Sequence, residues 1–308
     1  MKKSFFPLLP IVILGLLLWQ PGLAVSGARN GLILWANVIL PTLLPFMLCS
    51  GAIVALGGVP LLVRPFFPVL SRLFSMSVSG CYVFLSGLLC GYPMGAKTCS
   101  EFLDSQMISP EEGRLLLAVS NHPSPMFLLG YAAAATLPSM TAPLLISVYL
   151  PVIPIALAGK YIYHVSLSSL KQPSALNKFS FDESLMNSVE TMVKIGGYVM
   201  LFSIAAIFIQ TLSPLSEKSS SFILGITEIT TGIHAVSKSW PSETAGAVLA
   251  FITAFGGISG IFQTKSVLKN AGLSIRHYVL WKICHGTLSC GTFILLSQTE
   301  ALASLLPL

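Results

Sequence analysis

Gly91, Gly95 and Lys97 stand in the stretch LCGYPMGAKTC (89–99), and Gly256, Gly257, Gly260 and Lys265 in AFGGISGIFQTKS (254–266). Each stretch is a Gly-x-x-x-Gly break that follows an apolar run and precedes a lysine. The chemistry open to such a break is anion binding. Glycine allows a tight turn and a close approach of ligand to backbone. A helix restarting beyond the turn offers unpaired N–H groups and a dipole that favours negative charge. Lys97 and Lys265, close behind the restarts, would neutralise a small carboxylate. The bland account is that the glycines only let helices cross closely, as small-xxx-small stripes do. The pairing of the two breaks favours a site.

Two other stretches carry polar groups inside apolar surroundings. In SNHPSPMFLLG (120–130), Pro123 and Pro125 interrupt a helix while Ser120, Asn121, His122 and Ser124 offer donors and acceptors. A proline kink satisfied by its neighbours would explain part of this, but so many polar side chains read better as a second half-helix lining the same cavity. In FILGITEITTGIHAV (222–236) Glu228 is the acidic residue of an apolar segment. An ionisable group there is a functional candidate by default, and Glu228 would take up a proton or contact a cation. The competing account is an interfacial segment with a solvated glutamate, because 15 residues are too short to span a bilayer. Glu190 and Lys194 read as an ordinary i,i+4 ion pair, and 101–114 as a solvent-facing connection in which Ser109-Pro110 starts a helix.

These groups need elements to hold them, and composition says what kind. Hydrophobic residues make up 54% of the 308 and charged residues 9%, against roughly a quarter charged in soluble domains. Mean hydropathy is +0.82. Segments 5–24, 31–57, 113–136, 142–163, 188–212 and 277–297 each approach or exceed the span of a hydrocarbon core, which takes about 20 helical residues. The chain is a multi-pass integral membrane protein. Its basic start and long first apolar run read as a retained helix rather than a cleaved signal. The six cysteines lie in or beside apolar segments without a C-x-x-C pair and read as small buried hydrophobes. A net charge of +6 suits basic cytoplasmic loops and does not argue for nucleic acid. No H-E-x-x-H, G-x-S-x-G or Walker A pattern occurs, so no enzyme activity, cofactor or metal is expected.

Lys2 and Lys3 place the N-terminus in the cytoplasm, as do Lys160, Lys171 and Lys178 the polar stretch 159–184. Residues 61–77 then read as interfacial and 80–95 as re-entrant. At an offset of 165 residues Gly91 pairs with Gly256, Gly95 with Gly260 and Gly31 with Gly196. Three crossings between the breaks would invert the second unit. The expected fold is all-α: a polytopic transmembrane bundle of two inverted repeats, each with a broken, re-entrant hairpin. Its parts are an N-terminal helix (1–24), repeat 1 (31–165), a cytoplasmic loop (166–187) and repeat 2 (188–308), within one membrane domain. This layout puts Lys265, Lys269 and Arg276 on the outer side, against the charge rule.

GYPMGAK followed by SPEEGRLLLAVSNHPSPMFLLG resembles the signature of the YlbJ-type sporulation integral membrane proteins, and GITEITTGI and AFGGISGIFQTKS resemble that family's later segments. The family is grouped with the nucleoside-recognition, or gate, fold. The resemblance implies a role in endospore formation: moving dipicolinic acid from the mother cell across the outer forespore membrane. It also implies site positions at Gly91, Tyr92, Pro93, Gly95, Lys97, Asn121, Pro125, Glu228, Gly256, Gly257, Ser259 and Gln263. With Ser124 and Lys265 these form the expected site. The leading expectation is a transporter of a small anion, with the lipid bilayer as its other partner and an oligomer compatible with the bundle. A nucleoside or other neutral-solute carrier, and a non-transporting membrane subunit, are the alternatives.

Overall fold

The computed structural model describes residues 8–132, 140–166, 180–268 and 272–305. Every regular element among them is helical. Lys2, Lys3, Lys171, Lys178 and Lys269, and most of the expected cytoplasmic loop, lie outside the described residues.

Helix α1 (Leu8–Trp19) is apolar and 12 residues long. Pro21 then opens α2 (Pro21–Leu34), which passes through a π-helical turn (Trp35–Ile39) into α3 (Leu40–Ala55), giving one stretch of 35 residues. The expected boundary between 24 and 31 is therefore helix interior. The break comes at Gln20 because Pro21 can begin a helix but not continue one. Pro41 has no N–H for an i→i−4 bond; just before it, the Leu40 N–H reaches Trp35 O in the π turn, and Thr42 Oγ1 donates to Val38 O at 2.7 Å.

Short helices α4 (Val59–Val63) and α5 (Phe67–Phe74) follow, then α6 (Val78–Cys90), bent 104° from α5. Helix α7 (Met94–Asp104) folds back on α6, and Ser86 Oγ meets Thr98 Oγ1 at 3.3 Å. Ser109 caps α8 (Pro110–Val119) as the sequence predicts. The connection is not simply solvated, however: Glu112 is 3% exposed and accepts from Ser77 N at 2.6 Å, pinning α8 to the start of α6. Helix α9 (Pro125–Phe127) runs into a second π turn (Leu128–Ala132). The segment 113–136 is thus no continuous span but two pieces separated at Ser120–Ser124, with 133–136 outside the described residues. Helices α10 (Thr141–Tyr149) and α11 (Val152–Ile162) form a stretch of 22 residues.

The second half comprises α12 (Phe181–Leu212), α13 (Glu217–Thr227), α14 (Ile229–Ser239), α15 (Ser242–Phe255), α16 (Gly257–Val267) and α17 (Ile275–Leu305). Glu190 and Lys194 pair on α12 at 2.6 Å as expected. The element order matches the first half: a long helix, two short ones, a helix broken at glycine, then a final helix that starts 165 residues after α8. The long helices pack antiparallel. Gly27 abuts Ile204, Gly31 abuts Met200, and Gly196 abuts Trp35, whose Nε1 donates to Met192 O at 2.9 Å.

One expected element is different. α15 and α16 run end to end as a single apolar stretch, Thr244–Val267, rather than as a re-entrant hairpin. The folded-back element of this half is α13–α14, where Gly225 and Gly232 bring the two helices together and Ser239 Oγ donates to Ser221 Oγ at 2.9 Å. The length rule misreads 222–236, because a hairpin returning to its own face need not span.

Contacts sort the chain into two faces. Gly51 meets Ser184, Lys160 donates to Leu73 O, and Arg114, Tyr163 and Leu273 share a small cavity, so α3 and α11 end where α6, α8, α12 and α17 begin. The α6–α7 hairpin enters from this face. The α13–α14 hairpin enters from the opposite one, where α12 ends. Because α15–α16 runs through, Lys265 and Arg276 arrive on the first face with Arg64, Arg72 and Lys160. With Arg114 they outnumber Lys218 and Lys238 of the opposite face, a bias that favours the first face as the cytoplasmic one.

Apolar packing forms two main clusters. One joins Val59, Phe74, Tyr82, Leu115 and Ile155, the other Leu128, Val148, Ile233, Leu249 and Phe293. Leu18, Trp19, Val25, Leu61, Tyr161 and Leu295 point outward. With five long apolar helical stretches among the described residues, such faces suit lipid.

Candidate functional site

Four helix breaks meet in the middle of the bundle. The first is the tip of α6–α7. Gly91 takes φ +81°, a left-handed value that glycine adopts without strain, and the following Tyr92–Pro93 peptide is cis. The second is the gap between α8 and α9. Ser120 O seats against both Gly87 and Gly95: a Cβ on either would lie 1.8 or 1.9 Å from that oxygen. The two breaks are joined where Tyr92 N donates to His122 O at 3.1 Å. The third is the α13–α14 tip at Glu228, and the fourth is Gly256–Gly257. A Cβ on Gly257 would stand 3.4 Å from Ile229 N, and one on Gly256 3.6 Å from the Tyr92 ring.

The first three of these breaks border a cavity of about 470 Å³, and the fourth stands behind it. Its polar lining comes mainly from the breaks, at Gly91 and Tyr92, Ser124, Glu228 and Thr230, with Thr42 from α3 and Gln263 from α16. Phe127 and Tyr131 add aromatic faces, stacked at 5.3 Å, and α2–α3 closes one side with Leu34, Val38 and Phe46. Glu228 is 4% exposed and caps α14. It accepts from Thr230 N at 3.0 Å, from Thr231 N and Thr231 Oγ1 at 2.8 Å each, and from Thr230 Oγ1. The carboxylate's lone pairs are thus largely taken up by helix-start donors.

The chain is similar to YlbJ. That sporulation integral membrane protein of Bacillus subtilis (strain 168) is 23% identical over 326 aligned positions, which cover 92% of this chain and 79% of YlbJ. No family model matches the sequence, and no solved structure matches it. The resemblance to YlbJ extends through both halves of the bundle, so all four breaks fall within its overall range.

Of the residues that the YlbJ-type motifs and the sequence single out, Gly91, Tyr92, Ser124, Glu228 and Gln263 line the cavity. Pro123 lines it where Pro125 was expected; Pro125 instead begins α9. Pro93 precedes α7 as its cap, and Gly95 is the seat for Ser120. Gly256 backs the Tyr92 ring, Gly257 packs on the α13–α14 tip, and Ser259 accepts from Gln263 Nε2 at 3.0 Å. Lys97 forms an ion pair with Glu101, and Lys265 is exposed in the last turn of α16; neither lines the cavity. Nearness to a glycine in sequence does not aim a lysine, whose direction is set by the helix face it occupies.

Asn121 lies in a second polar cluster. Its Nδ2 donates to Thr264 Oγ1 and to Tyr278 Oη, both at 2.7 Å, and its backbone carbonyl accepts from Lys282 Nζ at 3.1 Å. His285 Nε2 donates to Val148 O at 2.7 Å. Lys282, 1% exposed, is the largest fully buried side chain among the described residues. Sequence reasoning missed it, although a lysine inside an apolar span was a legible signal.

Proposed function

We propose that the chain is a membrane transporter for a small, flat solute, carried in the cavity that three of the breaks border. Dipicolinate is the first candidate, moved from the mother cell across the outer forespore membrane. One observation carries the reading. Interrupted helices from both halves turn their irregular backbone toward a common cavity of about 470 Å³, within the range of about 300–1,000 Å³ usual for small-molecule sites. Irregular backbone at membrane depth is tolerated where it is buried in protein or lines a cavity, and secondary transporters bind solutes at such breaks. The antiparallel α2–α3 and α12, with hairpins entering from opposite faces, favour two units of inverted sense that rock about the site. The similarity to a sporulation protein favours dipicolinate.

A second reading has its own support. The residues lining the cavity include no lysine, arginine or histidine, so a neutral planar solute such as a nucleoside is the alternative cargo. Proteoliposomes holding the purified chain should accumulate labelled dipicolinate in preference to labelled uridine. Gly130 lines the cavity with nothing within 4 Å of an added Cβ, so Gly130→Trp should block uptake without unfolding the bundle. Dipicolinate uptake unaffected by that substitution would overturn the cavity as the path.

A further inference from the structure

We propose that Lys282, flanked by His122 and His285, is a proton-carrying group whose charge state sets the conformation of the cavity. Lys282 is buried, and its Nζ donates to Asn121 O at 3.1 Å. No carboxylate of the described residues forms an ion pair with it. His122 follows Asn121, the residue Lys282 meets; His285 stands one turn along α17 from Lys282; and the two imidazole rings are 6.5 Å apart, centroid to centroid. His122 Nε2 and Asn121 Oδ1 are buried without a hydrogen-bond partner. Such a set of basic groups without a counter-charge does not suit a resident cation: an unpaired ammonium costs several kcal/mol to bury.

The other titratable groups facing this cluster are known. They are Tyr92 from the α6–α7 tip, which shares contact with the Gly256 position with Lys282 Cε; Tyr149 from α10, its ring 5.3 Å from His122; and Tyr278 on α17 itself. Arg114 from α8 shares a cavity of about 190 Å³ with Tyr278, and Tyr163 from α11 accepts from Trp281. None offers a carboxylate.

The packed arrangement therefore suits the uncharged amine. Taking a proton from a hydronium ion on one face forms an N–H bond, breaks an O–H bond and leaves water, converting –NH2 to –NH3+; the reverse step hands that proton to water on the other face. The ammonium requires water or an anion, which demands that the Ser120–Ser124 break move away from α17. That break is tied to the cavity twice: Pro123 and Ser124 line it, and His122 O holds Tyr92 N. A proton on Lys282 thereby reaches the solute site without touching the solute, and it offsets the charge of a carboxylate cargo. Coupling to transport rests on the reading above; protonation and its conformational effect do not.

Cys90 lines the cavity and reports on it without any substitution. Its maleimide labelling, followed by peptide mass in the full-length protein, is compared at each pH with the same rate in Lys282→Met and Lys282→Gln, so that thiol chemistry cancels. The wild-type to variant ratio should change by about three-fold or more between about pH 5.5 and about pH 8.5. A flat ratio overturns the proposal. So does a failure of both variants to fold, which would make the lysine a structural strut. A ratio that moves while wild-type proteoliposomes carry neither dipicolinate nor uridine would sink the transporter reading and leave the proton site standing.

Discussion

At the scale of single residues, the site depends on absences of side chain as much as on polar groups. Ser120 O occupies the space that a methyl group on Gly87 or Gly95 would need. Gly95→Ala should lower stability by about 1–3 kcal/mol, the usual range for overpacking, read as a fall in the melting temperature of the detergent-solubilised protein. Gly130→Ala, with open space at its Cβ, should leave that temperature unchanged. Glu228 acts first as a helix cap. Its replacement by alanine should cost about 0.5–2 kcal/mol, and Glu228→Gln, which keeps an acceptor oxygen, should cost less in the same melt. If the alanine variant melts with the wild type, the cap contributes nothing and the carboxylate is held there for another reason.

Elements decide where these residues point, and here the sequence is only partly legible. The breaks at Gly91, Ser120–Ser124 and Gly256 are readable because glycine, proline and polar residues interrupt long apolar runs. Which break folds back is not. Gly-x-x-x-Gly looks the same at 91–95 and 256–260, yet in the first case Ser120 O seats between α6 and α7, while in the second the chain runs straight on. GITEITTGI is a hairpin whose tip is its glutamate, invisible to a rule that measures spans. Lys282 lies five residues inside the apolar segment 277–297, so its ionisable side chain was legible there, but the partner that places it, Asn121, is remote in sequence. The α2–α12 seam offers an element-scale test. A Cβ on Gly27 would lie 2.7 Å from Ile204 Cα, so Gly27→Val should prise α2–α3 from α12. Because α2–α3 supplies one cavity wall, solute uptake should fall while the protein still inserts. Full uptake by that variant would separate the seam from the site.

For the whole molecule, the arrangement of faces makes a prediction that needs no substrate. Gln20 and Ser213, at the start of α2 and the end of α12, share one face; Leu56 and Ser180, at the other ends of those helices, share the opposite one. Single cysteines at these positions should be labelled by a membrane-impermeant maleimide in two matching pairs, with Gln20→Cys and Ser213→Cys reached from outside the cytoplasm. Any other pairing would break the antiparallel seam and, with it, the opposed entry of the two hairpins. The same trace explains why the basic residues near α16 are no exception to the charge rule: a through-running span delivers them to the side where the other loops already carry arginine and lysine.

Both π turns, Trp35–Ile39 and Leu128–Ala132, contribute residues to the cavity wall, among them Val38, Ile39 and Tyr131. A π turn is an α-helix carrying one surplus residue, and that residue is slack. If the slack migrates by a turn, the side chains it passes swivel by about 100° while those on either side keep their orientation and the helix stays whole. The wall can therefore present a different set of side chains without any helix unwinding. Deleting Ala36 would remove the slack from α2–α3 and hold its side chains in one orientation.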